Sequence, residues 1–127
     1  MIVLDTHIWI WWVSEIEKLQ SKHLEAIKNA DSLCVSAISC WEIAKLVELS
    51  RITLSMEVLD WLHAALAYPK IQLLLLTPEI VVESTRLPAP FHKDPSDQII
   101  VATARVFNCP LLTLDSKILA YPNVQTI

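Results

Sequence analysis

The chain of 127 residues contains no glycine. The glycine-rich dinucleotide fingerprint and the phosphate-cradling P-loop both depend on glycine, and so does the G-x-S-x-G turn of the α/β-hydrolases. The sequence therefore excludes nicotinamide dehydrogenases and P-loop NTPases at the level of motif. It carries no local signature of a serine hydrolase either.

Cysteine is also scarce, and the three cysteines lack the spacing of a bridge or a metal site. Cys34, Cys40 and Cys109 form an odd set without a C-x-x-C pair. Neither a disulfide framework nor a zinc site is indicated. We expect these side chains to behave as small buried hydrophobes.

Long apolar runs are absent as well. The apolar run at residues 8–13 is far shorter than the roughly 20 residues of a membrane helix, so we expect no membrane span. Asp5 precedes any basic residue, and the first Lys is Lys18, which is unlike a secretory signal. We expect a cytoplasmic protein.

The formal net charge is −4, from 10 basic and 14 acidic residues. This balance argues against broad electrostatic adhesion to nucleic acid, which depends on Lys and Arg. It does not exclude a nuclease, because a metal held between carboxylates cancels part of the negative charge where a substrate would bind.

Short apolar segments alternate with segments of helical periodicity. The expected strands are residues 2–4, 33–35, 71–76, 111–114 and 124–127. The expected helices begin after Thr6, which can cap the first one, and continue with residues 21–29, 37–49, 55–68, 79–86 and 98–107. This alternation is typical of an α/β fold whose parallel sheet is covered by helices on both faces. We expect one domain over residues 1–127. Within it, we expect residues 71–76 to form a buried strand.

Acidic residues stand where apolar sequence gives way to polar sequence, at Asp5, Glu42, Asp97 and Asp115. Two follow predicted strands, and two lie in the first turns of predicted helices. Because strand ends and helix starts meet at one crevice of an open α/β sheet, the four side chains can converge. Clustered carboxylates repel one another unless a cation is present, and Mg²⁺ and Mn²⁺ prefer oxygen ligands. The sequence therefore predicts a divalent-metal site.

Each acid taken singly also fits an ordinary role as a helix cap, a dipole partner, a surface pair or a turn residue. Only the combination is specific. For Asp94, helix capping is favoured over metal contact. His7, His23, His63 and His92 show no metal-ligand spacing, so we expect surface or packing roles, with His23 and His63 on outer helix faces.

Four short motifs occur in order along nearly the whole chain. They read IVLDTH at 2–7, SCWEI at 39–43, HKDPSD at 92–97 with the apolar stretch 99–104 behind it, and LTLD at 112–115. Together they resemble the PIN-domain proteins of the VapC toxin type. The resemblance implies a central parallel sheet flanked by helices, a Mg²⁺- or Mn²⁺-dependent ribonuclease, a homodimer and a VapB-like antitoxin partner.

The resemblance extends to individual residues. Four positions match the acidic residues of the family, namely Asp5, Glu42, Asp97 and Asp115. The resemblance implies catalytic and metal-binding roles for these four residues. Thr6, Thr113 and Asp94 are candidates for orienting a carboxylate or its water.

Three positions depart from the family pattern. The family often has an aromatic residue where Ser96 stands, an Arg where Gln98 stands and a glycine near Ser50. We expect the absence of this Arg to affect the positioning of the substrate. Metal binding should be unaffected, because no acidic ligand is lost.

The alternatives belong to other classes. A receiver-like signalling module would need an acidic pair after the first strand, and a haloacid dehalogenase-type phosphatase would need D-x-D there, whereas Asp5 is followed by Thr6 and His7. A non-catalytic PIN-like scaffold would be expected to have lost an acid, and none is lost. An inert fold is the remaining alternative.

The first helix predicts a protein contact. Residues 8–13 read IWIWWV and surround the helix with apolar side chains. Because one face alone can pack on the sheet, we expect at least one Trp at the surface, in an antitoxin or homodimer interface with Trp61 nearby. Trp11 and Trp12 are the residues expected to carry that contact.

Overall fold

The computed structural model describes residues Met1–Ile127 and follows the predicted alternation of strands and helices. Its strands are β1 (Ile2–Leu4), β2 (Leu33–Ser36), β3 (Ile71–Leu74) and β4 (Leu111–Leu112). They are parallel and lie in the order β3-β2-β1-β4. The helices are α1 (Thr6–Ser14), α2 (Ser21–Asn29), α3 (Ala37–Glu48), α4 (Val58–Leu66), α5 (Pro78–Ser84), α6 (Pro95–Val106) and α7 (Ser116–Leu119).

The sheet is covered on both faces, as predicted. Successive side chains of a strand point to opposite faces, so Ile2 and Leu4 enter a core formed with α1, α3 and α4, whereas Val3 enters a second core formed with α6 and α7. Cys34 and Cys109 are buried in the second core, in keeping with their expected role as small hydrophobes, whereas Cys40 is only partly buried. None of the helices combines the length and apolar composition that crossing a membrane would require.

The helix starts differ from prediction in two places. Thr6 is already the first residue of α1, and the cap is Asp5, whose carboxylate accepts from the Thr6 backbone N–H. Helix α4 begins at Val58 rather than at residue 55, because the Glu57 carboxylate caps it. Asp94 caps α6 as predicted.

The outer strands also differ from prediction. Residues 71–76 were expected to form a buried strand, but β3 ends at Leu74 and its side chains are largely exposed. It lies at the edge of the sheet, where it has a neighbour on one side only. Residues 124–127 form a single bridge, between Leu111 and Thr126, instead of a strand.

His23 was expected on an outer helix face, but it is fully buried. Its Nδ1 accepts from the Gln20 backbone N–H at 3.2 Å, in the first turn of α2. The buried ring closes the first turn of α2 through Nδ1, whereas its Nε2 has no hydrogen-bond partner.

The strand order places the functional crevice. From β1 the chain moves to β2 and β3 on one side, and β4 lies on the other. In open α/β sheets ligands bind at the carboxyl ends of the strands where the order reverses. Here that point lies between β1, which Asp5 follows, and β4, which Thr113 follows.

Candidate active site

All four predicted acids line one pocket at the carboxyl end of the sheet, and Asp94 joins them. The pocket has a volume of about 340 Å³. Its lining consists of Asp5, His7, Trp11, Glu42, Asp94, Asp97, Leu114 and Asp115. No Lys or Arg lines it, so five carboxylates share a space without a basic partner other than a histidine.

Asp5 is the most rigidly held of these acids. Its Oδ1 accepts from the Thr6 backbone N–H at 2.8 Å, and its Oδ2 accepts from the Thr113 hydroxyl at 2.7 Å. The side chain is buried, and burial raises the pKa of Asp5 while the two hydrogen bonds oppose that rise. Both oxygens are thus fixed by the strand end and the helix start that meet there.

The Thr6 hydroxyl connects the first strand end to α3. It donates to Glu42 Oε1 at 2.6 Å and lies 2.8 Å from the Ser39 hydroxyl. Because a hydroxyl has only one proton to donate, Ser39 must donate to Thr6. Burial raises the pKa of Glu42, the Thr6 bond lowers it, and the Asp5 charge raises it again.

All four neighbouring acids of the pocket act on the carboxyl of Asp97. Burial raises its pKa to about 7, and the charges of Asp5, Asp94, Asp115 and Glu42 act in the same direction. The carboxyl therefore keeps its proton to a higher pH than an ordinary Asp when no cation is near. A divalent cation would supply the positive charge that this position lacks.

Asp115 is oriented by the helix it caps. Its Oδ1 accepts from the backbone N–H groups of Lys117 and Ile118 at 2.9 and 3.0 Å, at the start of α7. Its own N–H donates to the Thr113 hydroxyl at 3.0 Å. The Thr113 hydroxyl therefore donates its one proton to Asp5 and accepts from the backbone of Asp115, which ties the two acids together.

The sequence missed His92, for which a surface or packing role was expected. Its Nε2 lies 2.9 Å from Asp97 Oδ2, although neither ring nitrogen is aligned for a hydrogen bond. The only signal for this contact was the position of His92 at the start of the HKDPSD motif that also holds Asp94 and Asp97. The loop before α6 folds back to make the contact.

The donor set fits a hard divalent cation bound partly through water. No three His, Cys, Asp or Glu side chains are gathered closely enough to enclose an ion by themselves. Mg²⁺ is commonly held by only one or two carboxylates, with waters and substrate phosphates completing its octahedron. All the acids of the pocket offer oxygen, and their mutual repulsion is the feature that a cation would relieve.

The tryptophans of α1 occupy different environments. Trp9 is fully buried and packs against Trp61. Trp61 is also buried, so the expectation that it contributes to an exposed interface is wrong. Trp11 and Trp12 are partly exposed, with Trp12 packed on Tyr68 at a ring distance of 5.3 Å. Trp11 also lines the acidic pocket.

Comparison with known proteins identifies the family. The sequence model of the PIN domain matches residues 2–124. This chain belongs to the PIN-domain family. Ribonuclease VapC22 of Mycobacterium tuberculosis is 35% identical to it over 126 residues, which is 99% of this chain and 95% of that protein. Nucleases with a PIN domain generally use divalent metals.

Solved structures share the fold of this PIN domain at lower identity. The structure of VapBC2 from Rickettsia felis bound to a promoter DNA fragment superposes with a TM-score of 0.71 at 18% identity, covering 100% of this chain and 98% of that one. DNA-bound VapBC from Salmonella typhimurium gives 0.68 at 17% identity, covering 99% and 96%. The match to the PIN-domain model over residues 2–124 rules out the receiver-like and dehalogenase-like alternatives.

Proposed function

We propose that residues 1–127 form a single PIN domain that acts as a Mg²⁺- or Mn²⁺-dependent endoribonuclease, and that it is the toxin of a VapBC-type toxin-antitoxin pair. The observation that carries the proposal is the convergence of Asp5, Glu42, Asp94, Asp97 and Asp115 on one pocket. The relative at 35% identity is itself named a ribonuclease. A scaffold without activity would not need five repelling acids in one place.

The proposed cation site consists of Asp5 and Asp97 with either Glu42 or Asp115, bound directly or through water. A divalent cation there would lower the pKa of a water and offset charge developing on the phosphate. The chain contributes the orientation of the ligands. Thr113 and the start of α1 fix both oxygens of Asp5, and Thr6 fixes one oxygen of Glu42.

The proposed reaction is hydrolysis of an RNA phosphodiester. The water oxygen bonds to phosphorus, the bond from phosphorus to the 3′ oxygen breaks, and one water proton ends on that 3′ oxygen. The products then carry a 5′ phosphate and a 3′ hydroxyl. The acids of the pocket would hold the ions and the water in place, so that the reaction would depend on positioning and charge stabilisation.

The proposed partners are a VapB-like antitoxin and a second copy of the chain. Support comes from the VapBC complexes that share the fold and from the partly exposed Trp11 and Trp12 on α1. A partner seated on Trp11 would lie beside the acidic pocket, because Trp11 forms part of its wall. We place the action of the protein in the cytoplasm, where an RNA substrate is available.

The test is cleavage of a labelled RNA by the purified protein in Mg²⁺, Mn²⁺ and EDTA. We expect cleavage with either metal, none in EDTA, and a loss of at least about a hundredfold in Asp5→Asn and Asp97→Asn. Asp31→Asn changes an exposed acid outside the pocket and serves as the matched control. Circular dichroism checks that the variants are folded. Full activity in EDTA, or undiminished activity in both variants, contradicts the proposal.

A further inference from the structure

A second pocket adjoins the acidic pocket and shares Glu42 and Asp94 with it. Its volume is about 450 Å³. We call it the α3 groove, because its other walls come mainly from α3 and the turn after it, at Ile38, Trp41, Lys45, Leu46, Leu49 and Arg51. The two pockets therefore meet at Glu42 and Asp94, and the α3 groove extends from the proposed cation site along α3.

Trp41 is the unusual residue of the α3 groove. Its side chain is 55% exposed, although a tryptophan normally places most of its ring out of water. It directly precedes Glu42, and successive helix residues are turned by about 100°, so Glu42 reaches the acidic pocket while Trp41 lines the α3 groove beside it. Lys45 follows one turn later on the same side of α3.

Arg51 reaches the α3 groove because the end of α3 is folded back. Ser50 has a φ of 58°, the Arg51 N–H donates to Leu46 O at 2.9 Å, and the Ser50 N–H donates to Val47 O at 3.0 Å. This is the bonding of a Schellman motif, which turns the chain sharply after a helix. The guanidinium of Arg51 makes no ion pair, whereas Lys45 is paired with Glu48 at 2.7 Å.

We propose that the α3 groove binds single-stranded RNA beside the scissile phosphate, with one base stacked on Trp41 and a backbone phosphate paired with Arg51. The choice of RNA rests on the proposed function. Aromatic side chains stack on any base, and the Arg fork suits a phosphate. From Ile38 to Leu49 the groove is roughly 16 Å long, at about 1.5 Å per helical residue.

The presence of charged residues in the α3 groove argues against a second copy of the chain as its occupant. The centres of protein interfaces are depleted in charged residues, but the α3 groove is lined by Lys45, Arg51, Glu42 and Asp94 around its apolar floor. The protein has a net charge of −4, so few of its surfaces attract a polyanion. The unpaired Arg51 lies beside the acidic site, where it can pair with a backbone phosphate of the RNA.

The experiment measures binding separately from cleavage. The affinity of a labelled single-stranded RNA is determined by fluorescence anisotropy in Mg²⁺. All variants carry Asp97→Asn, so that the RNA is not cleaved during the measurement. We expect Trp41→Ala to weaken binding at least about fivefold, and Trp41→Phe to weaken it less. Phe107→Ala, which removes another exposed aromatic outside the groove, should have no effect.

Arg51 is tested through salt. Arg51→Gln should weaken binding and reduce the slope of log affinity against log salt by about 0.7, the loss of one phosphate contact on a single strand. Arg86→Gln is the matched control, since Arg86 is exposed and lies outside the groove. A duplex of the same RNA should not respond to Trp41→Ala, because its bases are already stacked.

The outcomes separate this inference from the proposed ribonuclease activity. If wild type cleaves RNA but Trp41→Phe, Trp41→Ala and Arg51→Gln bind like their parent, the groove inference alone is wrong. If wild type does not cleave RNA while binding still depends on Trp41 and Arg51, the ribonuclease proposal fails and the groove stands. If Trp41→Ala converts a dimer into a monomer at unchanged RNA affinity, a second copy occupies the groove and the inference is overturned. Sedimentation at equal concentrations decides this point.

Discussion

Replacement of Asp97 by Asn should stabilise the protein at alkaline pH when no divalent metal is present. Asp97 is a carboxyl that the folded protein protonates more readily than the unfolded chain does, because it is buried among other acids. Only 16% of its side chain is exposed, so solvent screens this effect weakly. Asn keeps the shape of the side chain and removes the charge.

The sign and size follow from the two pKa values. The pKa of Asp97 is about 7 in the folded protein against 3.8 for an ordinary Asp. Its contribution to stability is therefore fully present below pH 3.8 and is lost as the pH rises through about 7. The gap between the values corresponds to at most roughly 4 kcal/mol. Because the neighbouring acids respond to one another, we expect a measured gain of about 1 to 3 kcal/mol at pH 8.

The assay is urea unfolding of wild type and Asp97→Asn at pH 5 and pH 8 in EDTA. Wild type should lose more stability between these pH values than the variant, and Asp31→Asn should behave like wild type. Asp5 and Glu42, whose pKa values are also raised, account for the loss that remains in the variant. Mg²⁺ should restore wild type at pH 8 by mass action and act less on the variant. A large loss of stability in Asp97→Asn at both pH values would refute the reasoning and make this side chain structural.

Three further predictions concern other parts of the molecule. Ser50→Gly should stabilise the protein by about 1 kcal/mol in thermal unfolding, because Ser50 has a positive φ that glycine adopts without strain; no gain would mean that its hydroxyl compensates. Thr113→Val should lower RNA cleavage about 10- to 100-fold by releasing Asp5, while Thr113→Ser keeps most activity; equal activities would contradict this. Trp12→Ser should weaken association measured by sedimentation and spare cleavage, whereas Trp11→Ser should impair both, since Trp11 also lines the acidic pocket.

The sequence by itself determined the parts of this protein that depend on local chemistry. Alternating apolar segments gave a parallel sheet covered by helices, because period and capping act within a few residues of the chain. The same rules put Asp94 at the start of α6 and Asp97 in its first turn. The prediction that Asp5, Glu42, Asp97 and Asp115 meet followed from the geometry common to all such sheets, and they line one pocket.

Only the tertiary structure decided which further residues contact and orient these acids. Thr113 bonds Asp5 from 108 positions away, because β4 lies beside β1, and no local pattern reports strand order. His92 reaches Asp97 because the loop before α6 folds back onto the helix. The sequence did not predict which tryptophans are exposed either. Trp61 is buried and Trp41 is exposed to solvent, because the packing of neighbouring elements determines which apolar side chains are covered.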